Sequence, residues 1–107
     1  MENSRFEQRR LELHELLAEL LGSRNVYYQP PSNQIMHYDA IRYSLSRKDT
    51  RFADDRRYKN MNCYELIVIT RLPDPEVVEK ILELPYSSLG RPYVSDNLNH
   101  YPITLYF

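Results

Sequence analysis

The most regular pattern of apolar and polar positions lies at the end of the chain. From His100 onward, Tyr101, Ile103, Leu105 and Phe107 occupy every second position, and the residues between them form a second set. A period of two is typical of a strand with one buried face. Because chain ends fray unless neighbouring structure holds them, we expect this strand to end inside the fold or against a partner.

Two earlier segments also have strand patterns, but they differ in their second face. From Tyr38 to Leu45, Ile41 and Tyr43 alternate with polar residues, which predicts a strand with one face toward water. From Cys63 to Thr70, apolar residues occupy both faces. That composition predicts a central strand that is covered on both sides.

Shorter signals complete the set of predicted strands. Val26 to Gln29 is a short extended segment that ends at two prolines. Tyr86 to Ser95 and His100 to Phe107 are interpreted as two strands, joined by a turn around Asp96 to Asn99.

Helical periodicity appears twice. Ser4 and Glu7 have the spacing of a capping box, and Gly22 is a stop signal, so we expect a helix from about Arg5 to Leu21. Its apolar residues share one face: Phe6, Leu13, Leu16, Leu17, Leu20 and Leu21.

The second helix is shorter. Asp74 is its expected N-cap, Pro75 its first residue, and Pro85 its end. Its predicted buried side consists of Val77, Val78, Ile81 and Leu82.

Together these elements predict an α+β fold. We expect a mainly antiparallel sheet of four to five strands packed against two helices, in a single domain spanning residues 1–107. The N-terminal helix belongs to residues 1–22, and a long charged loop at residues 46–60 connects two strands.

Composition narrows the possible functions. The net charge of −1 gives no overall field toward nucleic acid or acidic lipid. Cys63 is the only cysteine, which excludes an intrachain disulfide and fits a reducing compartment. No apolar run approaches the roughly 20 residues that span a bilayer, and the N-terminal residues do not form a signal peptide. We therefore expect a protein made in a cytoplasm, without a membrane partner.

The loop at residues 46–60 is too long for an ordinary hairpin connection. Phe52 and Tyr58 stand among three acidic residues and six basic ones, which give residues 47–59 a local charge of +3. Interleaved basic and aromatic residues could bind a nucleic-acid backbone, whereas the mixed signs favour contacts between protein subunits. A solvated hairpin tip is the third interpretation. The predicted contact residues are Arg47, Lys48, Arg51, Arg56, Arg57 and Lys59.

Catalytic and metal-binding signatures are not recognisable in the sequence. His14, His37 and His100 lie far apart, and none has a partner at metal-ligand spacing. Cys63 has the pattern of a small core residue. Phosphate-binding, dinucleotide-binding and nucleophile-elbow motifs are missing. We therefore predict no catalytic, cofactor-binding or metal-binding residues, and no enzymatic activity.

Several segments resemble small neck and tail-completion proteins of long-tailed bacteriophages and prophages. The resemblance covers about Val26 to Phe107, and Asp-Thr-x-Phe-Ala-Asp at residues 49–54 is, with Asp96 to His100, its most specific part. The segments that carry it are Tyr28 to Pro31, Met36 to Tyr38, Asp49 to Asp54, Tyr64 to Thr70 and Asp96 through Phe107.

This resemblance implies a virion structural protein of the tail-terminator type. Such proteins form rings, often of six copies, at the head-proximal end of the tail. They end growth of the tail tube and join tail to head, while DNA passes through the central hole. The implied partners are further copies of the chain, the tail-tube protein and the head–neck connector proteins, and the implied location is the virion after assembly in the host cytoplasm.

Two other function classes stay open. A nucleic-acid-binding module would use the loop at residues 47–59 and would bind DNA in a salt-sensitive way. A small enzyme would have a deep pocket with perturbed titratable groups, visible only in the fold.

Overall fold

The computed structural model describes residues 5–48 and 61–107; of Arg47 and Lys48, only the backbone is described. The predicted α+β class is confirmed, because two helices accompany one mixed, mostly antiparallel sheet of six strands that is not closed into a barrel in the described part. The elements are α1 (Arg5–Leu21), β1 (Val26–Tyr28), β2 (Ala40–Lys48), β3 (Asn62–Thr70), α2 (Glu76–Leu82), β4 (Ser87–Leu89), β5 (Tyr93–Ser95) and β6 (Leu98–Tyr106).

The strand order places β3 at the centre of the sheet. The order is β1-β2-β3-β6-β4, and β5 pairs with β6 beside β4. Every pairing is antiparallel except that of β1 with β2, which is parallel. The predicted central position of Cys63 to Thr70 is therefore confirmed, while the parallel pairing left no signal in the hydrophobic pattern.

The sheet has one strand more than expected because the predicted strand from Tyr86 to Ser95 is divided. Residues 90–92 lie opposite Tyr101 and Pro102, so this edge carries one extra residue and forms a bulge between β4 and β5. The Gly90 amide donates to the Pro102 carbonyl at 2.7 Å. A Cβ at Gly90 would lie 3.3 Å from the Pro102 ring, so this close approach favours glycine.

The hairpin between β5 and β6 is tighter than predicted. Asp96 and Asn97 alone form the turn, with φ angles of 54° and 63°. Two residues at positive φ are typical of a type I′ turn, whose twist matches that of the flanking strands. Leu98 and Asn99, expected in the turn, belong to β6 and pair with Ser95 and Val94.

Helix α1 has the bounds that the sequence predicts. Gly22 follows it with φ of 82°, and its amide donates to the Ala18 carbonyl at 2.9 Å. This is the left-handed C-terminal residue that glycine favours. Ser4 of the predicted capping box lies outside the described residues.

The predicted N-cap of α2 is wrong. The helix begins at Glu76, Pro75 occupies the N-cap position, and no side chain caps it. Asp74 instead has φ of 49°, and its amide donates to the Tyr101 hydroxyl at 3.0 Å. This long-range contact holds the Asp74 backbone in a conformation that local spacing does not reveal. The predicted buried side is confirmed, since Val77, Val78 and Ile81 are buried and Leu82 is half-buried.

Both helices cover the same face of the sheet, and the main core lies between them. α1 contributes Leu13 and Leu17, and α2 contributes Val78 and Ile81. Their counterparts alternate along the three long strands: Ile41 and Tyr43 of β2, Tyr64, Leu66 and Val68 of β3, and Ile103 and Leu105 of β6.

The last strand is held as the alternation predicts. Leu105 is 1% exposed, and Phe107, beyond the end of β6, is half-buried. The Phe107 amide donates to the Asn62 carbonyl at 2.9 Å, and the Arg9 guanidinium lies 4.0 Å from the Phe107 ring centroid. Helix α1 and the start of β3 thus both anchor this segment.

We expect Leu105→Ala to destabilise the fold by roughly 2–5 kcal/mol, because it leaves a cavity in the core. Thr104→Ala, on the opposite face of β6, is the matched control and should change stability by less than about 1 kcal/mol. Urea unfolding of both variants measures the difference. Equal midpoints would contradict the placement of Leu105.

Candidate interaction surfaces

The predicted basic residues fall into two groups. Arg47 and Lys48 belong to β2, where their backbones pair with Cys63 and Asn62. They were expected in a loop that begins at Ser46, but a register shift between Leu45 and Arg47 lets β2 continue to Lys48. Arg51, Arg56, Arg57 and Lys59 lie outside the described residues. The structure therefore fixes where this segment leaves and re-enters the sheet, at the Lys48 and Asn62 end.

The sheet face opposite the helices is a mixed polar surface. Cys63 and Ile69 are buried on this side of β3, but the middle of the face is open, with Glu65 exposed and Ile67 half-buried. The prediction that β3 is covered on both faces is thus met at its ends only. The Thr104 hydroxyl donates to the Glu65 carboxylate at 3.4 Å.

A shallow pocket of about 290 Å³ lies on this open face near β1. Arg42, Ser44 and Glu65 give it polar walls, while Pro30 and Ile67 supply apolar surface. Mixed surfaces of this kind resemble the wet interfaces between proteins more than the deep sites of enzymes.

The edge formed by β4 and β5 exposes apolar side chains. Leu89 is 43% exposed, Tyr93 46% and Val94 68%. Tyr93 is held in place because its ring stacks on His100, with 4.8 Å between the centroids. A sheet edge offers backbone hydrogen-bonding groups to another chain, and exposed apolar residues add to its tendency to associate. Sequence patterns identified this strand but not that it forms an edge.

A polar cluster lies between α1 and the sheet. His14 Nδ1 is 2.7 Å from the Tyr43 hydroxyl, and the Arg10 guanidinium lies 4.4 Å from the Tyr28 ring centroid. Burial raises the pKa of Tyr43, and burial, with Tyr28 and Tyr43 nearby, raises the pKa of Tyr64 to about 12. A raised pKa keeps both hydroxyls neutral near pH 7.

The remaining sequence candidates are not brought together. His37 is exposed in the connection before β2, His100 lies on β6, and Cys63 is buried in β3. Within residues 5–48 and 61–107, no group of three or more His, Cys, Asp or Glu side chains could hold a metal ion. Among the helices of that same part, none is long and apolar enough to cross a membrane.

No family model, no curated protein and no solved structure matches this chain. The resemblance to phage neck and tail-completion proteins therefore stays a prediction from the sequence segments themselves.

His14 makes the stability of the fold depend on pH. Its pKa lies below 6.5, first because burial disfavours the charged ring and second because Arg10 repels it; Glu15 opposes this shift and Arg24 adds to it. In the window between this lowered pKa and 6.5, the unfolded chain binds more protons than the folded one. The contribution of neutral His14 to the free energy of unfolding is therefore fully present above pH 6.5. It is lost as the pH falls through the pKa of His14 in the folded chain.

We expect the free energy of unfolding to fall as the pH is lowered from 7.5 to 5.5, values chosen to bracket roughly the ordinary histidine pKa. His14→Gln should reduce this slope relative to the wild-type chain. Urea unfolding at each pH measures it. A slope unaffected by His14→Gln would contradict the assignment.

Tyr64 provides a test of the polar cluster. Within the described residues, its buried hydroxyl has no hydrogen-bond partner of good geometry, although the nearby Asn62 side chain partly offsets the rise in its pKa. The Tyr43 hydroxyl, by contrast, contacts His14. An unsatisfied buried hydroxyl costs about 1–3 kcal/mol, so Tyr64→Phe should leave stability unchanged or raise it by about 1 kcal/mol. Tyr43→Phe should lower it by about 1 kcal/mol. Chemical denaturation of the two variants would contradict this if Tyr64→Phe proved the more damaging.

Proposed function

We propose that this chain is a non-enzymatic structural protein of a long-tailed bacteriophage or prophage that assembles as a ring at the head-proximal end of the tail. The observation that carries the proposal is the one-sided packing of the sheet. Both helices cover one face, while the middle of the other face and the β4–β5 edge expose side chains suited to protein contacts.

The segments behind the resemblance support the same proposal. Tyr64 to Thr70 is most of the central strand, and Asp96 to His100 forms the tight turn and the start of β6. Tyr28 ends β1, and Met36 to Tyr38 precede β2. The Asp49 to Asp54 segment lies outside the described residues.

The proposed mechanism is steric and interfacial. One face of a ring of six copies caps the last ring of the tail tube, the opposite face meets the connector proteins of the neck, and DNA passes through the central hole. A closed ring requires two different, complementary surfaces on each copy. The β1 edge and the β4–β5 edge are two such different surfaces, and the charged segment at residues 47–59 is a third candidate contact.

Deletion of this chain's coding sequence from the phage or prophage genome tests the proposal. We expect tails of abnormal length and heads without tails in electron micrographs, and recovery when the intact chain is supplied in trans. Antibody labelling of wild-type particles should mark the neck. Normal, infectious particles after deletion would contradict the proposed function.

Charge reversal tests the predicted contact residues. Arg56→Glu with Arg57→Glu should block ring formation or tail joining, because complementary charges steer docking and fix register. Circular dichroism of the variant checks that the chain is folded, so that a loss of tails is not a loss of the fold. Electron microscopy of phage carrying the change measures the effect on tails.

The matched control is Arg5→Glu with Arg71→Glu, which changes the net charge equally at two exposed positions of the described part. If phage with the Arg56 and Arg57 change formed normal tails, the result would favour the interpretation of this segment as a solvated hairpin tip. Salt-sensitive DNA binding that disappears with the same change would instead favour the nucleic-acid-binding alternative.

A further inference from the structure

A groove lies between α2 and the β4–β6 side of the sheet. It has a volume of about 310 Å³, near the lower end of the range for ligand pockets. We call it the α2 groove, and its lining residues are Asp74, Pro75, Val78, Glu79, Leu82, Leu89 and Tyr101.

The α2 groove combines apolar lining with carboxylates. Val78 is buried and Leu82 half-buried, while Leu89 on the edge strand is exposed. Asp74 and Glu79 are exposed acidic residues, and no basic residue lines the groove. Asp74 does not cap the helix. Its amide donates to the Tyr101 hydroxyl, and this hydrogen bond holds Asp74 beside the groove.

The charge around the α2 groove is complementary to that of the segment at residues 47–59. Residues 74–83 contain four acidic residues and one basic residue, Lys80, for a net charge of −3. Residues 47–59 carry a net charge of +3. Complementary potentials of this kind select and orient protein contacts.

The same segment also supplies side chains that fit an apolar groove. Phe52 follows Arg51, and Tyr58 stands between Arg57 and Lys59. Aromatic residues and arginine are the commonest anchors at the centres of protein interfaces. In the groove, an aromatic ring would pack against Val78 and Leu89, and an adjacent guanidinium would pair with a carboxylate. Both the apolar and the acidic lining residues would then have a partner.

Within one copy, the residues to which the segment is attached lie away from the groove. The segment leaves β2 at Lys48 and enters β3 at Asn62, whereas the groove residue Tyr101 pairs with Val68 of β3. The interval from Asn62 to Val68 corresponds to about 20 Å along the strand. A head-to-tail contact between copies requires two different surfaces, and the groove and the segment are different in sequence and in charge.

We propose that the α2 groove receives the aromatic and basic segment at residues 47–59 of a second copy of this chain. This inference rests on the proposed function as a ring and names the contact that joins neighbouring copies.

A complementary charge exchange on the full chain tests this docking. The groove variant combines Asp74→Asn with Glu79→Arg; asparagine is used because position 74 has a positive φ, which asparagine tolerates. The segment variant combines Arg56→Glu with Arg57→Glu. The control variant, Glu12→Gln with Glu19→Arg, changes net charge as the groove variant does, at two exposed positions of α1 outside the groove lining and outside residues 74–83.

Sedimentation velocity over a range of concentrations gives the oligomeric mass, and circular dichroism confirms folding. Wild type and the control variant should associate, while the groove and segment variants should each associate at least about tenfold more weakly. An equimolar mixture of these two variants should recover assembly, because each then meets the opposite charge on its neighbour. Added salt should weaken the wild-type assembly.

Each other outcome overturns the inference. A groove variant that associates like wild type, or a mixture that does not recover, would exclude docking at this groove. If the groove or segment variant melted at a lower temperature but kept the oligomeric mass of the wild type, the segment would dock on its own chain. A wild-type chain that stays monomeric at every concentration would exclude docking between free copies. Particle morphology after gene deletion is a separate measurement, so the ring proposal can stand or fall independently.

Discussion

Burial of one face of β3 is the constraint on which the rest of the structure depends. Tyr64, Leu66 and Val68 point toward the helices and are excluded from water, and β2 and β6 flank them with residues of the same periodicity. Because strand side chains alternate, a shift of one residue in either pairing would turn this apolar set toward solvent. The register of the three long strands therefore fixes where both helices pack, and the opposite face is left with Arg42, Glu65 and Thr104.

This one-sided packing divides the molecule into surfaces with different chemistry. The helix side contributes an acidic groove beside α2, and the edge formed by β4 and β5 contributes exposed apolar residues. The basic segment is attached where β2 ends at Lys48 and β3 begins at Asn62. A protein that acts by assembling needs several distinct surfaces of this kind, whereas an enzyme needs convergent reactive groups in one cavity. The polar cluster of His14, Tyr43 and Tyr64 is built into the packing of α1 against the sheet.

Asp74 shows how a local rule and a tertiary contact compete. Its spacing before Pro75 and Glu76 fits an N-cap, yet its amide is held by Tyr101, on a strand more than twenty positions later in the chain. Because Asp74 does not cap the helix, it is one of the residues that line the α2 groove. The residues next to Asp74 in sequence predict that it caps α2, but in the structure it lines the α2 groove. Asp74 therefore belongs to the proposed contact between copies.

The sequence by itself determined the local features of this protein. The capping-box spacing and the Gly22 stop predicted the approximate bounds of α1, and the periodicity of apolar residues predicted the buried side of α2 and the alternation of β2 and β6. These features depend on neighbours in the chain. Only the tertiary structure decided the parallel pairing of β1 with β2, the bulge opposite Pro102, the extension of β2 to Lys48 and the lining of the α2 groove. Each of these depends on residues far apart in sequence, and periodicity carries no information about which distant segment will lie alongside.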